Sequence, residues 1–404
     1  MKTQLLFFSF TLCLGGVVFA EPILEKTNIF TAHEGGYDVY RIPAIAVTPK
    51  GTILTFCEAR MLPEQRAGAD WAKIDILMRR STDGGKTWSA ARNIITPPEN
   101  PEINSIAIDH GYDGAEELTV NNAVPIVDNE TGTIHLIYCI EYARCYYMRS
   151  EDDGETFSES VDITEVFEKF KPEYPWKVIA TGPGHGIKLS NGCLFIPVWM
   201  SIGTGGGAHR PSAVSTIFSN DEGKTWERGE IVVNHPELVN PSETIAVELA
   251  DGRIMLNIRH ETFDRKNKSR YRAITTSPNG ADQWTPITQD DELPESICMA
   301  NILRLSKESD GGKNRILFVN PHNPDGRERK NVTLKLSYDE TENWSVVKAL
   351  EPGRSGYSDL AMGTDGFIYC FYERGTFDKH HHNTANLCVA KFNLEWLTDG
   401  TDSF

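Results

Sequence analysis

Short apolar runs recur along the whole chain and alternate with polar turns. Three of them are Ile74 to Met78, Ala213 to Phe218 and Val332 to Leu336. Runs of this length, bounded by Gly, Asn and Asp, are typical of β-strands rather than helices. Others begin at Asn-Gly or Asp-Gly pairs, as in Gly192 to Trp199 and Gly252 to Ile258. The pattern therefore predicts an all-β chain built of short strands.

One polar motif, Ser-x-Asp-x-Gly-x-Thr-Trp, punctuates these runs. It begins at Ser81, Ser150 and Ser219, and weaker copies begin at Ser277 and Ser337, so that successive copies start 69, 69, 58 and 60 residues apart. Each copy follows a β-rich run, which predicts a hairpin turn. In such a turn Ser and Asp bond backbone amides, Gly adopts a left-handed conformation and Trp anchors the hairpin. The motif is therefore structural rather than catalytic.

The spacing of the motif predicts the architecture. A period of roughly 64 residues leaves room for four strands in each repeat, and residues 21–404 would hold six repeats. Radial repetition of four-stranded sheets is a propeller. We therefore expect a six-bladed β-propeller in which 21–404 is one domain. The last blade of such a ring is often completed by both chain ends, so strands near Glu21 to Thr31 should pair with strands near Leu387 to Leu397.

The first twenty residues follow a different pattern. Lys2 precedes an apolar run from Leu5 to Val18, and Val18-Phe19-Ala20 matches a small-residue cleavage pattern before Glu21. This is the form of a signal peptide, so we expect residues 1–20 to be removed and the protein to be secreted or periplasmic. No later apolar stretch reaches the roughly 18 residues of a membrane span, and none is predicted.

Net charge limits the kinds of partner, and the number of cysteines bears on whether disulfides form. The chain has 57 acidic and 40 basic residues and a net charge of −17, which argues against nucleic acid or an anionic membrane surface as a partner. Seven cysteines follow the signal, an odd number without metal-type pairs. We therefore expect packed thiols rather than a disulfide framework. The run His380 to His382 is interpreted as a polar surface loop rather than a metal site.

A second motif, Tyr40-Arg41-Ile42-Pro43, precedes the repeats. Arg-Ile-Pro followed by several such Asp-box turns resembles the microbial and animal exo-α-sialidase (neuraminidase) family, over about residues 30 to 375. Arg-Ile-Pro alone is a weak signal, whereas the joint order is specific. The resemblance implies a retaining glycoside hydrolase that removes terminal α-linked sialic acid from glycoproteins, glycolipids and oligosaccharides. It implies no cofactor and no metal in the mechanism, and we expect a monomer.

The substrate explains which cations the resemblance requires. Sialic acid carries an ionised carboxylate on its anomeric carbon, and guanidinium groups bind such an anion through forked, charge-assisted hydrogen bonds. By position within matching motifs, the resemblance implies Arg41, Arg259 and Arg329 as a triad. Arg327 lies two residues before Arg329 and remains an alternative for the third arginine, because either side chain is otherwise interpreted as a solvated loop charge.

The same carboxylate disfavours an anionic nucleophile, because like charges repel, and favours a neutral phenol activated by a base. The resemblance implies Tyr357 as nucleophile, Glu243 as its base and Asp70 as the general acid. Glu248 lies on the same strand as Glu243, and Asp75 lies inside an apolar run near Asp70. Both competing carboxylates are interpreted as structural or solvated.

Supporting residues also match the family pattern. Glu373 would hold the first arginine, Arg60 would border the sugar pocket, and Asn122 would either contact the substrate or form a turn. The run from Gly182 to Gly186 lacks the Lys-Ser/Thr of a phosphate loop, so it predicts a tight turn at the active-site face. His185 in this run is a candidate for lining the pocket.

Two other functional classes stay open. One is a propeller glycosidase that acts on another glycan, such as an arabinan or a uronic-acid polymer, which would not need three arginines and a late tyrosine. The other is a non-catalytic glycan-binding propeller, which could dispense with Asp70, Glu243 or Tyr357. All three positions are filled here, and the sequence therefore favours the hydrolase.

Overall fold

The computed structural model describes residues 21–62, 69–99, 101–109, 118–205, 207–263 and 270–404. The predicted signal segment, residues 1–20, lies outside them. Within these ranges the chain is a succession of strands with a few short helical turns, which confirms the prediction of an all-β fold. No helix in the same ranges is long and apolar enough to cross a membrane.

Strand β1 (Leu24–Thr31) begins the described chain, and four sheets of antiparallel strands then follow in sequence order. The first consists of β2 (Val39–Val47), β3 (Ile53–Met61), β4 (Lys73–Ser81) and β5 (Arg92–Asn93). The second consists of β6 (Val120–Val127), β7 (Ile134–Ile140), β8 (Arg144–Ser150) and β9 (Val161–Asp162). The third consists of β10 (Val178–Thr181), β11 (Ile187–Lys188), β12 (Leu194–Ser201), β13 (Ser212–Ser219), β14 (Glu227–Arg228) and β15 (Val233–Asn234). The fourth consists of β16 (Thr244–Glu248), β17 (Ile254–Ile258), β18 (Tyr271–Ser277) and β19 (Thr288–Pro294).

The remaining strands form a seven-stranded sheet. They are β20 (Asn301–Ser306), β21 (Arg315–Pro321), β22 (Lys330–Ser337), β23 (Val346–Met362), β24 (Ile368–Thr376) and β25 (Thr384–Phe392), with β1 beside β25. The first half of β23 pairs with β22 and the second half with β24, so this 17-residue strand joins two four-stranded units. Leu24 lies opposite Phe392 and Thr31 opposite Asn386, which confirms the predicted pairing of the two chain ends.

The helical turns are short and lie outside the sheets. They are α1 (Ser105–Asp109), α2 (Glu165–Glu168), α3 (Leu394–Leu397) and a 3-10 turn (Glu308–Asp310). Asn393 caps the start of α3, and its side chain accepts a hydrogen bond from Trp396 N. An Asn at this position satisfies a free amide of the first helical turn, so the chain leaves β25 here.

The apolar cores lie between sheets that are neighbours in chain order. Leu54 of β3 packs with Leu136 of β7, for example, between the first and second sheets. The last sheet also packs against the first, because Ile45 and Ile53 share a core with Phe371. The sheets thus form a closed arrangement, which is consistent with a propeller. The seven cysteines in the described ranges are buried and unpaired, as predicted.

The repeated motif forms the turn that joins the third and fourth strands of a sheet. In the third copy, Ser219 Oγ accepts a hydrogen bond from Gly223 N at 2.9 Å, and Asp221 Oδ1 accepts one from Thr225 N at 2.8 Å. The copies at Ser81 and Ser150 contain the same bonds. These contacts are local, which explains why a short motif predicts the turn without knowledge of the rest of the fold.

The weaker copy at Ser337 keeps this network with different residues. Thr341 N donates to Ser337 Oγ at 2.9 Å, and Asn343 N donates to Asp339 Oδ1 at 2.9 Å. Thr341 adopts a φ of 77° at the position that Gly occupies in the copies at Ser81, Ser150 and Ser219. The Ser and Asp side chains therefore define the turn more strictly than the glycine does.

Bulges interrupt several of the strands. The pairing of β2 with β3 shifts between Arg41 and Ala44, where Ile42 has a φ of 55° and Pro43 has no N–H to donate. The pairing of β23 with β24 shifts between Ser355 and Ser358. A bulge bends the strand and changes the direction of a side chain. These bulges place Arg41 and Tyr357 near each other, as described next.

Candidate active site

Tyr357 lies in β23 and is only 4% exposed. Its hydroxyl donates a hydrogen bond to Glu243 Oε1. Arg259 Nη1 donates to the Tyr357 hydroxyl at 2.8 Å and also to Glu243 Oε2. Arg259 N donates to Glu243 O at 3.1 Å, which ties the start of β16 to the end of β17. The fold thus joins three side chains whose positions in the sequence differ by up to 114 residues.

The pKa shifts of Tyr357 and Glu243 indicate a neutral phenol beside a charged carboxylate. Burial raises the pKa of Tyr357 well above its ordinary value, although Arg259 opposes the change. Burial would also raise the pKa of Glu243, but Arg259 and the bonded phenol outweigh it and hold that pKa below 4.5. At neutral pH, Tyr357 therefore keeps its proton and directs it at an ionised acceptor. This is the arrangement of a nucleophile with its base.

Arg41, in β2, lies on another side of the same phenol. Its side chain is almost fully buried, and Nε donates to Glu373 Oε1 at 3.0 Å. Glu373 Oε2 accepts a second hydrogen bond, from Tyr357 N at 3.1 Å. The Arg41 guanidinium carbon lies 5.1 Å from the centroid of the Tyr357 ring. Arg41 Nη2 is buried and has no partner among the described residues, and a buried donor of this kind calls for a ligand.

Arg329 completes the group of cations. It precedes β22, is 5% exposed, and its guanidinium carbon lies 4.8 Å from the Tyr357 ring centroid. Its Nη2 donates to Ile297 O at 2.8 Å. The alternative residue, Arg327, is exposed in the preceding loop. Of the two arginines left open by the sequence, the structure brings Arg329 to the site.

Three guanidinium groups therefore surround one phenol in a protein of net charge −17. Arg41 is paired with Glu373, and Arg259 is paired with Glu243. Two carboxylates offset three cations, so the pocket is locally positive. Such a pocket fits a small anion with a planar carboxylate.

Asp70 lies beside this pocket, in the segment before β4. Its Oδ1 accepts a hydrogen bond from Arg60 Nη1 at 3.0 Å, and its side chain is 43% exposed. Partial burial would raise the pKa of Asp70, but Arg60, His209 and Arg41 outweigh it and hold that pKa below its usual range. Asp70 is thus a solvent-accessible carboxylate within the field of the arginines.

Arg60 is fully buried and supports Asp70 from below. Its Nε donates to Glu58 Oε2 at 2.9 Å, and Glu58 Oε1 accepts a hydrogen bond from Asn122 N at 2.9 Å. Asn122 is also buried, and its Nδ2 donates to Thr181 O at 2.8 Å. The pairing of β6 with β7 shifts between Asn121 and Val124, and the Asn122 side chain holds the backbone at this bulge. Of the two alternatives for Asn122, the structure favours the backbone role.

The two competing carboxylates point elsewhere. Asp75, in β4, accepts a hydrogen bond at 2.6 Å from the hydroxyl of Tyr37, which precedes β2. Glu248, at the far end of β16, accepts one from Ser190 Oγ at 2.8 Å. Neither bonds to a residue of the pocket in the described part of the chain, and both are held by structural contacts.

The run from Gly182 to Gly186 is a turn between β10 and β11. His185 in this turn is buried, and its Nδ1 lies 2.8 Å from Asp359 Oδ1. Asp359 Oδ2 in turn accepts a hydrogen bond from Ile45 N at 2.8 Å. His185 therefore links the inner strands rather than joining the Tyr357 group.

Two histidines at the site were not predicted from the sequence. His209 Nδ1 lies 3.9 Å from Asp70 Oδ2, and its ring contacts Trp71, Tyr142 and Trp199 with centroids 5.0 to 5.3 Å apart. The glycine-rich segment before His209 has no periodic pattern, so nothing in the sequence marks this residue.

The interpretation of the histidine run as a surface loop is correct for His380 and His381 but not for His382. His380 and His381 are exposed, but His382 is half-buried and its Nδ1 lies 3.4 Å from Arg329 Nη1. The sequence shows three adjacent histidines without indicating which of them reaches the pocket. Among the described residues, no group of three or more His, Cys, Asp or Glu side chains is arranged to hold a metal ion.

Several known proteins are similar to this chain in sequence and in fold. The family described as BNR repeat-like domain matches residues 65–370. A sialidase of Micromonospora viridifaciens is 29% identical over 401 residues, covering 93% of this chain and 55% of that protein. A sialidase of Bacteroides fragilis is 27% identical over 385 residues, covering 88% of this chain and 64% of that protein. The solved structure of the Hadza microbial sialidase Hz136 matches with a TM-score of 0.70 and 25% identity, covering 92% of this chain and 69% of that one.

Fold and site together define a class, an all-β repeat protein with an arginine-lined pocket beside a bonded phenol and carboxylate. The chain belongs to the family of BNR repeat-like domains. The resemblance to bacterial-type sialidases that its motifs predict is confirmed by the relatives. The chain spans 55% and 64% of the lengths of these two curated sialidases.

Proposed function

We propose that this chain is a retaining exo-α-sialidase that hydrolyses terminal α-linked sialic acids of glycans. One observation carries the proposal: the Tyr357 phenol donates a hydrogen bond to Glu243 and lies among three arginines. A carboxylate on the anomeric carbon is the feature that distinguishes sialic acid from neutral sugars. It needs cations for binding and a neutral nucleophile for attack, and this pocket contains both.

In the first step, Arg41, Arg259 and Arg329 bind the substrate carboxylate and place the anomeric carbon above the phenol. The Tyr357 oxygen forms a bond to that carbon as the glycosidic bond breaks. Glu243 accepts the phenolic proton, and Asp70 donates a proton to the departing oxygen. Charge therefore does not accumulate on either oxygen, which is the benefit of paired acid and base groups.

In the second step, water replaces the aglycone. Asp70, now ionised, removes a proton from the water, whose oxygen attacks the anomeric carbon on the face that the leaving group vacated. The bond to Tyr357 breaks, and Glu243 returns its proton to the phenolate. Two displacements at one carbon give retention of configuration.

The field of the arginines links binding to the role of Asp70. Against the effect of burial, Arg60, His209 and the substrate-binding Arg41 keep the pKa of Asp70 low, which by itself opposes the uptake of a proton. A substrate carboxylate bound on the arginines cancels part of their positive field and raises that pKa. Substrate binding thus favours the protonated form of Asp70, which is the form that can donate a proton to the leaving group.

We also propose that the fold is a six-bladed propeller whose repeated turns are Asp boxes. A cavity of about 890 Å³ supports this proposal. Its lining residues come from six separate segments, which fall within 45–49, 125–130, 185–192, 246–248, 302–305 and 360–364. Each segment contains or adjoins the innermost strand of one unit, as expected around the axis of a propeller.

The first twenty residues support a further proposal, that the protein is exported after cleavage behind Ala20. N-terminal sequencing of the protein recovered from the medium or the periplasm tests it. A mature chain that starts at Glu21 is expected, and a chain that starts at Met1 in the same fraction contradicts the proposal.

The release of 4-methylumbelliferone from its α-N-acetylneuraminide by purified residues 21–404 tests the activity. We expect turnover by the wild type between about pH 4 and 8 and its near-complete loss in Glu243→Ala. The absence of wild-type turnover over this range contradicts the proposal. Turnover of an arabinan or uronic-acid substrate instead would identify the other glycosidase class.

A further inference from the structure

The three arginines of the pocket are not held in the same way. Arg41 bonds the Glu373 carboxylate, and Arg259 bonds the Glu243 carboxylate. Arg329 has no ion pair with a carboxylate in the described part of the chain. Its acceptors are the carbonyl of Ile297 at 2.8 Å and His382 Nδ1 at 3.4 Å. Its positive charge is therefore the least compensated of the three.

His382 can accept this hydrogen bond only as a neutral imidazole, because a protonated ring has no free lone pair. Burial lowers the pKa of His382, and the charges of Arg41 and Arg329 lower it further. Asp70, which faces His382 from the segment before β4, opposes this effect, whereas the neighbouring His381 adds to it. Together with burial, the two cations outweigh the Asp70 carboxylate and keep the ring neutral.

Hydrogen bonds within the loop between β24 and β25 hold the His382 ring in position. His380 N donates to Asp378 Oδ1 at 2.7 Å, and Asn383 Nδ2 donates to Asp378 Oδ2 at 2.8 Å. The His381 and His382 rings lie 3.9 Å apart, centroid to centroid. Asp378 thus closes the loop from both sides of the histidine run, and the loop holds His382 against Arg329.

We propose that His382 is a positioning residue that fixes the Arg329 guanidinium through a neutral acceptor, so that Arg329 keeps its full charge for the substrate carboxylate. This inference rests on the proposed sialidase function and deepens it. A carboxylate in the place of His382 would hold the guanidinium at least as firmly. It would also occupy the donors and cancel the charge that the substrate needs.

Two variants separate position from charge, because Asn and Asp have the same shape and each places an oxygen near the position of His Nδ1. In His382→Asn a neutral acceptor remains, and we expect KM within about threefold of the wild type. In His382→Asp the acceptor is charged, and we expect KM to rise at least about tenfold, with a smaller change in kcat. In His382→Leu the acceptor is lost, and KM should fall between these two values.

The control is His380→Asp, which adds the same charge at an exposed position of the same loop. We expect its KM to stay near the wild-type value, because an exposed charge is screened. The salt dependence of kcat/KM provides a second readout. It should be weaker in His382→Asp than in His382→Asn, since the charge of Arg329 is compensated in the former.

Equal KM values in the Asn and Asp variants overturn the role of charge, and a wild-type KM in His382→Leu overturns the positioning role. If His382→Asp does not fold, the comparison of His382→Asn with His382→Leu still decides whether the acceptor matters. A wild-type enzyme without turnover of the sialoside contradicts the proposed function and this inference with it. An active wild type with equal KM in all variants contradicts the inference alone.

Discussion

At the scale of single residues, the proposed role of Asp70 depends on how the neighbouring residues hold its carboxylate. Arg60 Nη1 donates a hydrogen bond to its carboxylate at 3.0 Å, while 43% of the side chain stays exposed. The carboxylate is therefore rigid enough to aim a proton and open enough to reach a leaving group. A more basic leaving group depends more on the proton that Asp70 is proposed to donate. The loss of activity in an Asp70 variant should therefore differ between leaving groups, and this difference can be measured.

Asp70→Ala should reduce kcat/KM for sialyllactose by about 10²- to 10⁴-fold, the usual contribution of a general acid. The loss with the 4-methylumbelliferyl sialoside should be smaller, because a phenolate leaves with less help from a proton. Steady-state kinetics with both substrates check this. The control is Asp75→Asn, which alters a carboxylate bonded to Tyr37 and should leave the ratio of the two rates unchanged. Equal losses on both substrates would exclude Asp70 as the acid.

The lowered pKa of Glu243 leads to a prediction about the pH dependence of the activity. Its pKa lies below 4.5, chiefly because Arg259 and the phenol outweigh burial. The base acts when ionised, so activity persists as the pH falls past 4.5 and disappears only through the lowered pKa. The acid limb of kcat/KM, which reports the free enzyme, should therefore lie below about pH 4.5. A limb that lies above that value and disappears in Glu243→Gln would contradict this account.

At the scale of elements, local and distant interactions differ in what the sequence can predict. The motif turns were predicted because Ser219 and Asp221 bond amides within six residues of themselves. The catalytic candidates were found through motifs, but their meeting depends on sheet packing across about a hundred positions. His382 and His209 were missed because loops without periodicity place them. The buried role of Arg60 likewise depends on Glu58 and on the position of a neighbouring sheet.

The bulge in β23 depends on Gly356. A Cβ at this position would collide with Glu373 Oε2, the atom that accepts the hydrogen bond from Tyr357 N. Gly356→Ala should therefore displace both Tyr357 and the partner of Arg41. We expect kcat/KM for the sialoside to fall at least about tenfold, because small displacements of reacting groups are costly.

Gly312→Ala is the matched control for this substitution. A Cβ at 312 would meet no atom closer than 3.7 Å, so the activity of this variant should equal that of the wild type. Thermal unfolding of both proteins separates a local displacement from a loss of fold. Unchanged kinetics in Gly356→Ala would show that the bulge tolerates a side chain and that its glycine is not needed for the site.

At the scale of the whole molecule, stability depends on the contact between the last sheet and the first. Phe30 of β1 is 3% exposed and packs on Tyr40, with ring centroids 5.0 Å apart. Phe30→Ala should lower the free energy of unfolding by about 3 to 5 kcal/mol, the usual cost of removing a buried Phe. Denaturant unfolding measures this. Phe404→Ala, at a residue that is 51% exposed, should cost less than about 1 kcal/mol. Similar small losses in both variants would mean that β1 is not needed to close the ring.

The central claim is that Tyr357 forms a covalent bond to the anomeric carbon, and mass spectrometry tests it most directly. A sialic acid with fluorine at C2 and C3 reacts at the anomeric carbon and then turns over slowly, because fluorine disfavours the positive charge of the transition state. Peptide mapping after incubation should place one sialyl adduct on Tyr357, with none in Tyr357→Phe. An adduct on Glu243, Asp70 or any other residue of the active protein would contradict the account.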